Sequence, residues 1–528
     1  MSHRHSLWIL PVLLVLLSAC SCSFLKTAAT EANDGPSRSD KAVSSPILIP
    51  RPKFVTFNKE TKPFALMADT AVVVSDKPAQ NELFAAALLR REAARRFHVS
   101  MPQISRSELL KSRVKNLILL AVGPTPDSLR KFYPATLTSL PAIPQKPEGY
   151  LLRVAPGLVV VNGYDARGVF WGAQTLLQLF GSGGSDAASA PAVSIRDWPS
   201  LSLRAVHLFH GHDALPFHEK LIERIFSRYK LNAVFIEAEQ VRWDHDPSVA
   251  PEWAGNRAQL KEEIDFARQR GVTVYPLLQS YGHLAWMLNN SRNRELAEDP
   301  ATPYALDYSN PKAVAYMDGF NREADALFNA PGFHIGLDEV GLRGRFPFRS
   351  KPKSSPQIYV HAATHWNNFF RKRGKPVFMW ADQALSAVEE NPDFGTAASA
   401  ADAKAVRDAL PKDIILMDWQ YGERTDFPSL RRLKEAGFKN VVAATWYRPK
   451  NIQNFARAAS EVGAMGAIQT TWAGYNSEES ILDSKDRQQF TAMVLAAEYF
   501  WNGGEGPLPD KLPYDPNKVF TENWRTKP

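Results

Sequence analysis

The chain has 528 residues, 45% of them hydrophobic and 22% charged, with a formal net charge of +8. That is length enough for two domains and a large core, in the composition of an ordinary water-soluble globular protein. The 63 basic residues are spread without a Lys/Arg run, so the positive balance reads as a solubility feature and no nucleic-acid partner is expected.

The N-terminus reads as a targeting signal. Arg4 precedes the apolar run "LWILPVLLVLL", Leu7 to Leu17. Such a run falls short of the roughly 20 residues that span a bilayer and suits the core of a signal peptide. It ends in "LSAC", Leu17 to Cys20, which resembles a bacterial lipobox, where the cysteine becomes the lipidated first residue after cleavage. An ordinary secretory signal cleaved nearby is the alternative. The expectation is a signal peptide over 1–19, lipidation at Cys20, and an exported protein anchored in the cell envelope, at the outer membrane if the organism has one. The other cysteine is Cys22, so with Cys20 lipidated no intrachain disulfide is available and stability must come from the core. Residues 20–46 are polar and poor in aromatics and read as a flexible tether.

From 47 to 198 the chain reads as a small α+β domain. "TAVVVSD" and "NLILLAVG" carry the β-branched residues and flanking turn signals of strands, and "NELFAAALLRREAARRF" between them has helical periodicity. "GYLLRVAPGLVVVNGYDARGVFWGAQTLLQLF" reads strand, turn, strand, helix, and "GSGGSDAASAPA" follows as a loop.

From 199 to 528 short apolar runs alternate with helical segments such as "FHEKLIERIFSRYK" and "QLKEEIDFARQRG". The strand candidates are "RAVHLF", "NAVFIEAE", "VTVYPLLQ", "FHIGLDEV", "PVFMWADQ", "IILMDWQY", "NVVAATWY" and "AIQTTWAGY". Eight strand–helix units predict an α/β protein, a (β/α)8 TIM barrel with a C-terminal extension, preceded by the small α+β domain. A doubly wound open sheet is the alternative, but no Gly-rich dinucleotide loop supports it.

A barrel carries its functional residues at the C-terminal ends of its strands. There the chain places Glu239, Gln279 with His283, Asp338 with Glu339, Trp380 with Asp382, Asp418 with Trp419 and Tyr421, Trp446, and Trp472. Carboxylates, one imidazole and several indole rings on one face read as a carbohydrate site. A strand-end Glu is more often simply solvated, a lone His structural and a Trp core, so each residue draws its weight from the cluster. Two adjacent carboxylates, Asp338 and Glu339, are costly to bury unless they do chemistry. His210, His212 and Asp213 raise the question of a metal, but "HGHD" shows no distant partner, and neither metal nor cofactor is expected.

These segments resemble glycoside hydrolase family 20, the β-N-acetylhexosaminidases, over about residues 50 to 500. "FHIGLDEV" is similar to the family's strand-4 signature, His-Ile-Gly-Gly-Asp-Glu, with Leu337 in place of the second Gly. "VTVYPLLQSYGHLAWML" resembles the strand-3 segment ending in Gly-His, "TTWAGY" the strand-8 Trp motif, and "DARGVFWGAQTLLQL" the end of the small domain before the barrel. The resemblance implies substrate-assisted retaining hydrolysis of an N-acetylhexosamine-containing glycan, in which the substrate's acetamide oxygen replaces a protein nucleophile. Asp338 would orient and polarise the acetamide, Glu339 would act as general acid and then base, and like-charge repulsion would keep one of the pair protonated. In an extended strand end the two neighbours would point to different atoms of one sugar. His283 and Glu239 would form a relay to Glu339; Trp380, Trp419 and Trp472 would wall the acetamide pocket; Tyr421 would donate to the acetamide oxygen; Asp382 and Asp418 are further candidates.

Two departures stand out. The family's strand-1 Arg falls near His212, and its strand-8 Glu falls at Gly474. Each loss removes a charge-assisted hydrogen bond to sugar hydroxyls worth about 1.5–3 kcal/mol. A noncatalytic glycan-binding lipoprotein with a degenerate site is therefore the alternative function.

Overall fold

The computed structural model describes residues 46–112, 114–130, 134–181, 188–389, 395–475 and 478–525. The expected signal peptide, Cys20 and positions 20–45 of the tether lie outside the described residues, as do 182–187 of the Gly/Ser/Ala loop. Among the described residues no helix is long and apolar enough to cross a membrane.

The first domain is built on the strands Phe54–Phe57 (β1), Phe64–Ala65 (β2), Ala71–Val74 (β3), Gln103–Ser105 (β4), Leu117–Val122 (β5), Tyr150–Ala155 (β6), Leu158–Gly163 (β7), Ser189–Ala190 (β8) and Val193–Asp197 (β9). Seven of them form one mixed sheet in the order β1-β9-β6-β7-β5-β3-β4, and β2 pairs with β8. The all-apolar runs "AVVV" and "LILLAV" become central strands because helices Gln80–Phe97 and Ala166–Leu179 bury one face of the sheet. The second helix starts at Asp165, whose carboxylate accepts the Gly168 N–H at 2.8 Å.

The second domain is a closed parallel barrel of Leu203–Phe209 (β10), Ala233–Glu237 (β11), Thr273–Leu277 (β12), Phe333–His334 (β13), Val377–Trp380 (β14), Ile415–Trp419 (β15), Val441–Thr445 (β16) and Gly466–Gln469 (β17). Each expected strand segment contributes one of them. Phe235, Tyr275, Phe378 and Trp380 fill its interior, with Phe235 and Tyr275 stacked at 4.7 Å. β10 pairs with β11 on one side and β17 on the other, closing the ring. Closure needs Gly466: a Cβ there would stand 2.0 Å from the Leu203 carbonyl oxygen.

Two expectations change. "FHIGLDEV" is extended only over Phe333–His334; Gly336, Leu337 and Glu339 take φ of 70°, 73° and 49°. The backbone thus turns left-handed on both sides of Asp338, and strand alternation does not direct the two carboxylates, which both come within 3.5 Å of His283 Nε2. The helix expected from "FHEKLIERIFSRYK" passes into π-helical turns at Ile222–Ser227.

The domains meet at the base of the barrel. Arg204, at the start of β10, is fully buried and ion-pairs with Glu148 of the first domain. Glu148 also accepts from Trp171 Nε1 at 2.9 Å and Asn232 Nδ2 at 3.1 Å. Beside it Asp197 accepts from Tyr150 at 2.8 Å, Trp501 at 2.9 Å and Lys230 at 3.2 Å. Each buried charge is thus paired and further hydrogen-bonded, the condition under which burial is tolerable.

Candidate active site

At the opposite, C-terminal end of the barrel a cavity of about 440 Å³ opens, within the range that holds small ligands. Glu239, His283, Asp338, Glu339, Trp419, Tyr421 and Trp472 line it together with Gln279. Trp380 and Asp382 are buried behind the wall: the Trp380 ring lies 6.0 Å from that of Trp472. Asp418 is also buried and accepts from Gln420 Nε2 at 3.0 Å, and Trp446 donates to Gln489 at 3.0 Å; neither lines the cavity.

Gln279 holds the centre. Its Nε2 donates to Asp338 Oδ1 at 2.7 Å and its Oε1 accepts the Leu337 N–H at 3.1 Å. A Cβ at position 336 would stand 1.8 Å from that same Oε1, so only Gly admits the clamp. Leu337, Glu339 and His283 sit at positive φ without being Gly, which costs about 1–3 kcal/mol each and concentrates strain at the site.

His283 Nε2 stands 3.5 Å from Asp338 Oδ2 and 3.4 Å from Glu339 Oε2, ion-pair distances rather than well-directed hydrogen bonds. Burial disfavours a charged imidazole, but the Asp338 carboxylate and its neighbours outweigh it and hold the His283 pKa up at about 11. For Asp338, burial acts upward, and the His283 charge and the Gln279 hydrogen bond reverse it, leaving its carboxyl below the ordinary range. Behind the pair, Asp382 accepts hydrogen bonds from the Glu339 N–H at 3.0 Å and from the Thr396 hydroxyl; burial, then repulsion from Asp338, pushes it up to about 7. The Trp472 indole Nε1–H donates to Tyr421 Oη at 2.9 Å, and Trp419 stacks on Tyr421 at 5.5 Å.

The floor of the cavity holds a pair that the sequence reading missed. His207 Nδ1 faces the Thr471 carbonyl oxygen at 2.9 Å, and its Nε2 faces Glu237 Oε2 at 2.8 Å. A carbonyl only accepts, so Nδ1 carries a proton. Burial holds the His207 pKa down at about 4, so the ring is neutral and Nε2 must accept. Glu237 is then the donor, a protonated acid: burial and the Asp338 charge push it up to about 8. Glu239, likewise buried and facing Glu237, is raised well above the carboxylate range. The i, i+2 spacing in "EAE" puts both on one face and was the available signal. Phe209, Gln240, Trp286 and Tyr475 also line the cavity and were not anticipated.

His212 is exposed, paired with Asp213 at 2.9 Å, and does not line the cavity. His210 turns inward instead, where it and His218 sit 2.9 and 2.8 Å from Glu263. Burial would raise the Glu263 carboxyl, yet the two imidazoles bring it down to about 2. The distant partner that "HGHD" lacked is thus Glu263, in an arrangement of directed hydrogen bonds.

A closed parallel barrel whose C-terminal mouth gathers carboxylates, a charged imidazole and indole rings, with an α+β domain against its base, places the chain among the glycosidase-type (β/α)8 barrels. Residues 45–198 match the family model described as glycosyl hydrolase family 20, domain 2. Over 253 residues the chain is 26% identical to a lacto-N-biosidase of Bifidobacterium bifidum, covering 44% of this chain and 22% of that protein. Over 211 residues it is 22% identical to Beta-hexosaminidase 1 of Coccidioides posadasii, covering 35% of this chain and 32% of that one. The matches thus span less than a third of these curated relatives. Among solved structures, the β-N-acetylhexosaminidase of Bacteroides fragilis superposes with a TM-score of 0.65 at 16% identity, covering 90% of this chain and 94% of that one. An exo β-N-acetylglucosaminidase of Vibrio harveyi, in complex with N-acetylglucosamine, gives 0.62 at 18% identity, covering 92% and 78%. Residues 45–198 thus match the family-20 domain 2, and the whole described chain has the fold of solved β-N-acetylhexosaminidases.

Proposed function

We propose that this protein is an exported glycosidase that removes β-linked N-acetylhexosamine residues by substrate-assisted retaining catalysis. The observation that carries this reading is the pairing of a buried, ionised Asp338 with a partly exposed Glu339, both beside the charged His283, at the mouth of an aromatic-walled cavity. Asp338, held by Gln279, orients the acetamide N–H and stabilises the positive charge that develops as the acetamide oxygen attacks the anomeric carbon. Glu339 delivers the proton to the leaving oxygen and then takes one from the water that opens the oxazolinium intermediate. Trp419 and Trp472 supply the walls, and Tyr421, which lines the same cavity, donates to the acetamide oxygen.

The test is turnover of chromogenic β-N-acetylglucosaminide and β-N-acetylgalactosaminide by the wild type beside Asp338→Asn and Glu339→Gln. Each substitution should lower kcat by about 10²–10⁴-fold. Turnover that survives in both variants would remove the assignment. Glycan binding by a wild type that cleaves neither substrate would favour the noncatalytic reading, which the position of His212 outside the cavity motivates.

Export and anchoring rest on the "LSAC" motif. Cys20→Ala should move the protein from the membrane fraction to the soluble envelope fraction; an unchanged membrane fraction would sink the lipid anchor.

A further inference from the structure

A second cavity, of about 330 Å³, opens between the first domain and the barrel. Arg91 and Arg95 enter it from helix Gln80–Phe97, Arg224 and Arg228 from the π-helical turns and their cap, and Arg270 from the loop before β12. Only two lining carboxylates, Glu92 and Glu223, face these five guanidiniums, an excess of three positive charges.

Both carboxylates are already engaged. Glu223 Oε1 lies 3.0 Å from Arg270 and 3.1 Å from Arg91, and Glu92 holds Arg95 at 2.8 Å. Arg228 is half-buried, and its Nε is buried with no hydrogen-bond partner among the described residues, a donor left unsatisfied. Beside it Ser227 Oγ accepts from Gln174 Nε2 at 2.7 Å, so its own hydroxyl proton is directed elsewhere. Glu223 stands between Arg91 and Arg270 but balances only one of their two charges, and the planar forks of the guanidiniums match the paired oxygens of an oxyanion. Arg270 stands just before β12, at the end of the barrel opposite Asp338, so a group bound here does not touch the reacting sugar.

We propose that this cleft binds a sulfate or phosphate ester group through the guanidiniums that line it, Arg91, Arg228 and Arg270 among them. Free inorganic oxyanion shares that chemistry, and the experiment separates the two. Isothermal titration of the full chain, at ionic strength held constant with sodium chloride, would use inorganic phosphate, inorganic sulfate and glucose 6-phosphate, with glucose as the neutral control. The expected result is saturable one-to-one binding of glucose 6-phosphate and none of glucose, weakened at least tenfold in Arg228→Gln and in Arg91→Gln and partly restored in Arg228→Lys. Arg91 is 42% exposed, so its variant keeps the test open if Arg228→Gln fails to fold. Binding of the inorganic anions without the sugar ester would overturn the ester part. No saturable binding by the wild type, or equal binding by the variants, would overturn the site.

Discussion

At the scale of single residues, the site is a set of carboxyls whose protonation is set by what surrounds them. Asp338, Glu339, His283 and Glu239 were legible because their residue types stand at the ends of apolar runs. Glu237 was not, because "VFIE" reads as strand interior and nothing in it names His207, 30 residues earlier, as partner. That pair makes stability depend on pH. The Glu237 carboxyl is raised in the fold to about 8, so the native state holds a proton that the unfolded chain releases near its ordinary value of 4.5. Its contribution is complete below pH 4.5 and lost as pH rises through about 8. Asp382, raised to about 7, acts in the same direction. Thermal melting should therefore show the wild-type midpoint falling between pH 6 and 9. In Glu237→Gln, whose amide can donate to His207 Nε2 without titrating, the fall should be shallower. An equally steep fall in the variant would contradict the assignment of that proton.

At the scale of elements, hydrophobic patterning located every barrel strand, because a parallel strand buried on both faces reads as a short apolar run. It did not show where β13 stops. A left-handed Leu337 is not a property of leucine; it is imposed by the Gln279 clamp and by the Tyr359 hydroxyl, which donates to the Leu337 carbonyl at 3.2 Å. Nor did patterning show why β17 begins with glycine. The contact between position 466 and the Leu203 carbonyl is the seam of the barrel, and it joins residues far apart in sequence. Gly466→Val should force β17 away from β10 and lower stability by more than about 2 kcal/mol, read from urea unfolding. A midpoint within error of the wild type would mean that closure tolerates a side chain there.

At the scale of the whole molecule, the two-part architecture was legible from composition and period, and the way the parts join was not. Arg204 stands where a reading of the strand alone sees only a charged first residue. The structure spends it on Glu148, 56 positions earlier, and on the Lys230 and Leu201 carbonyls, which accept at 2.9 and 2.8 Å. The first domain thus plugs the base of the barrel and leaves the far mouth free for chemistry. At that mouth the proposal to be tested is that the substrate's own acetamide is the nucleophile and Asp338 its support. The most direct measurement is kcat/KM on chromogenic N-acetylglucosaminides whose acetyl group carries zero, one, two or three fluorines. The account predicts a steep fall with each fluorine, because fluorine withdraws electron density from the attacking oxygen. Rates that stay level across the series would show that the acetamide does not attack, and would contradict it.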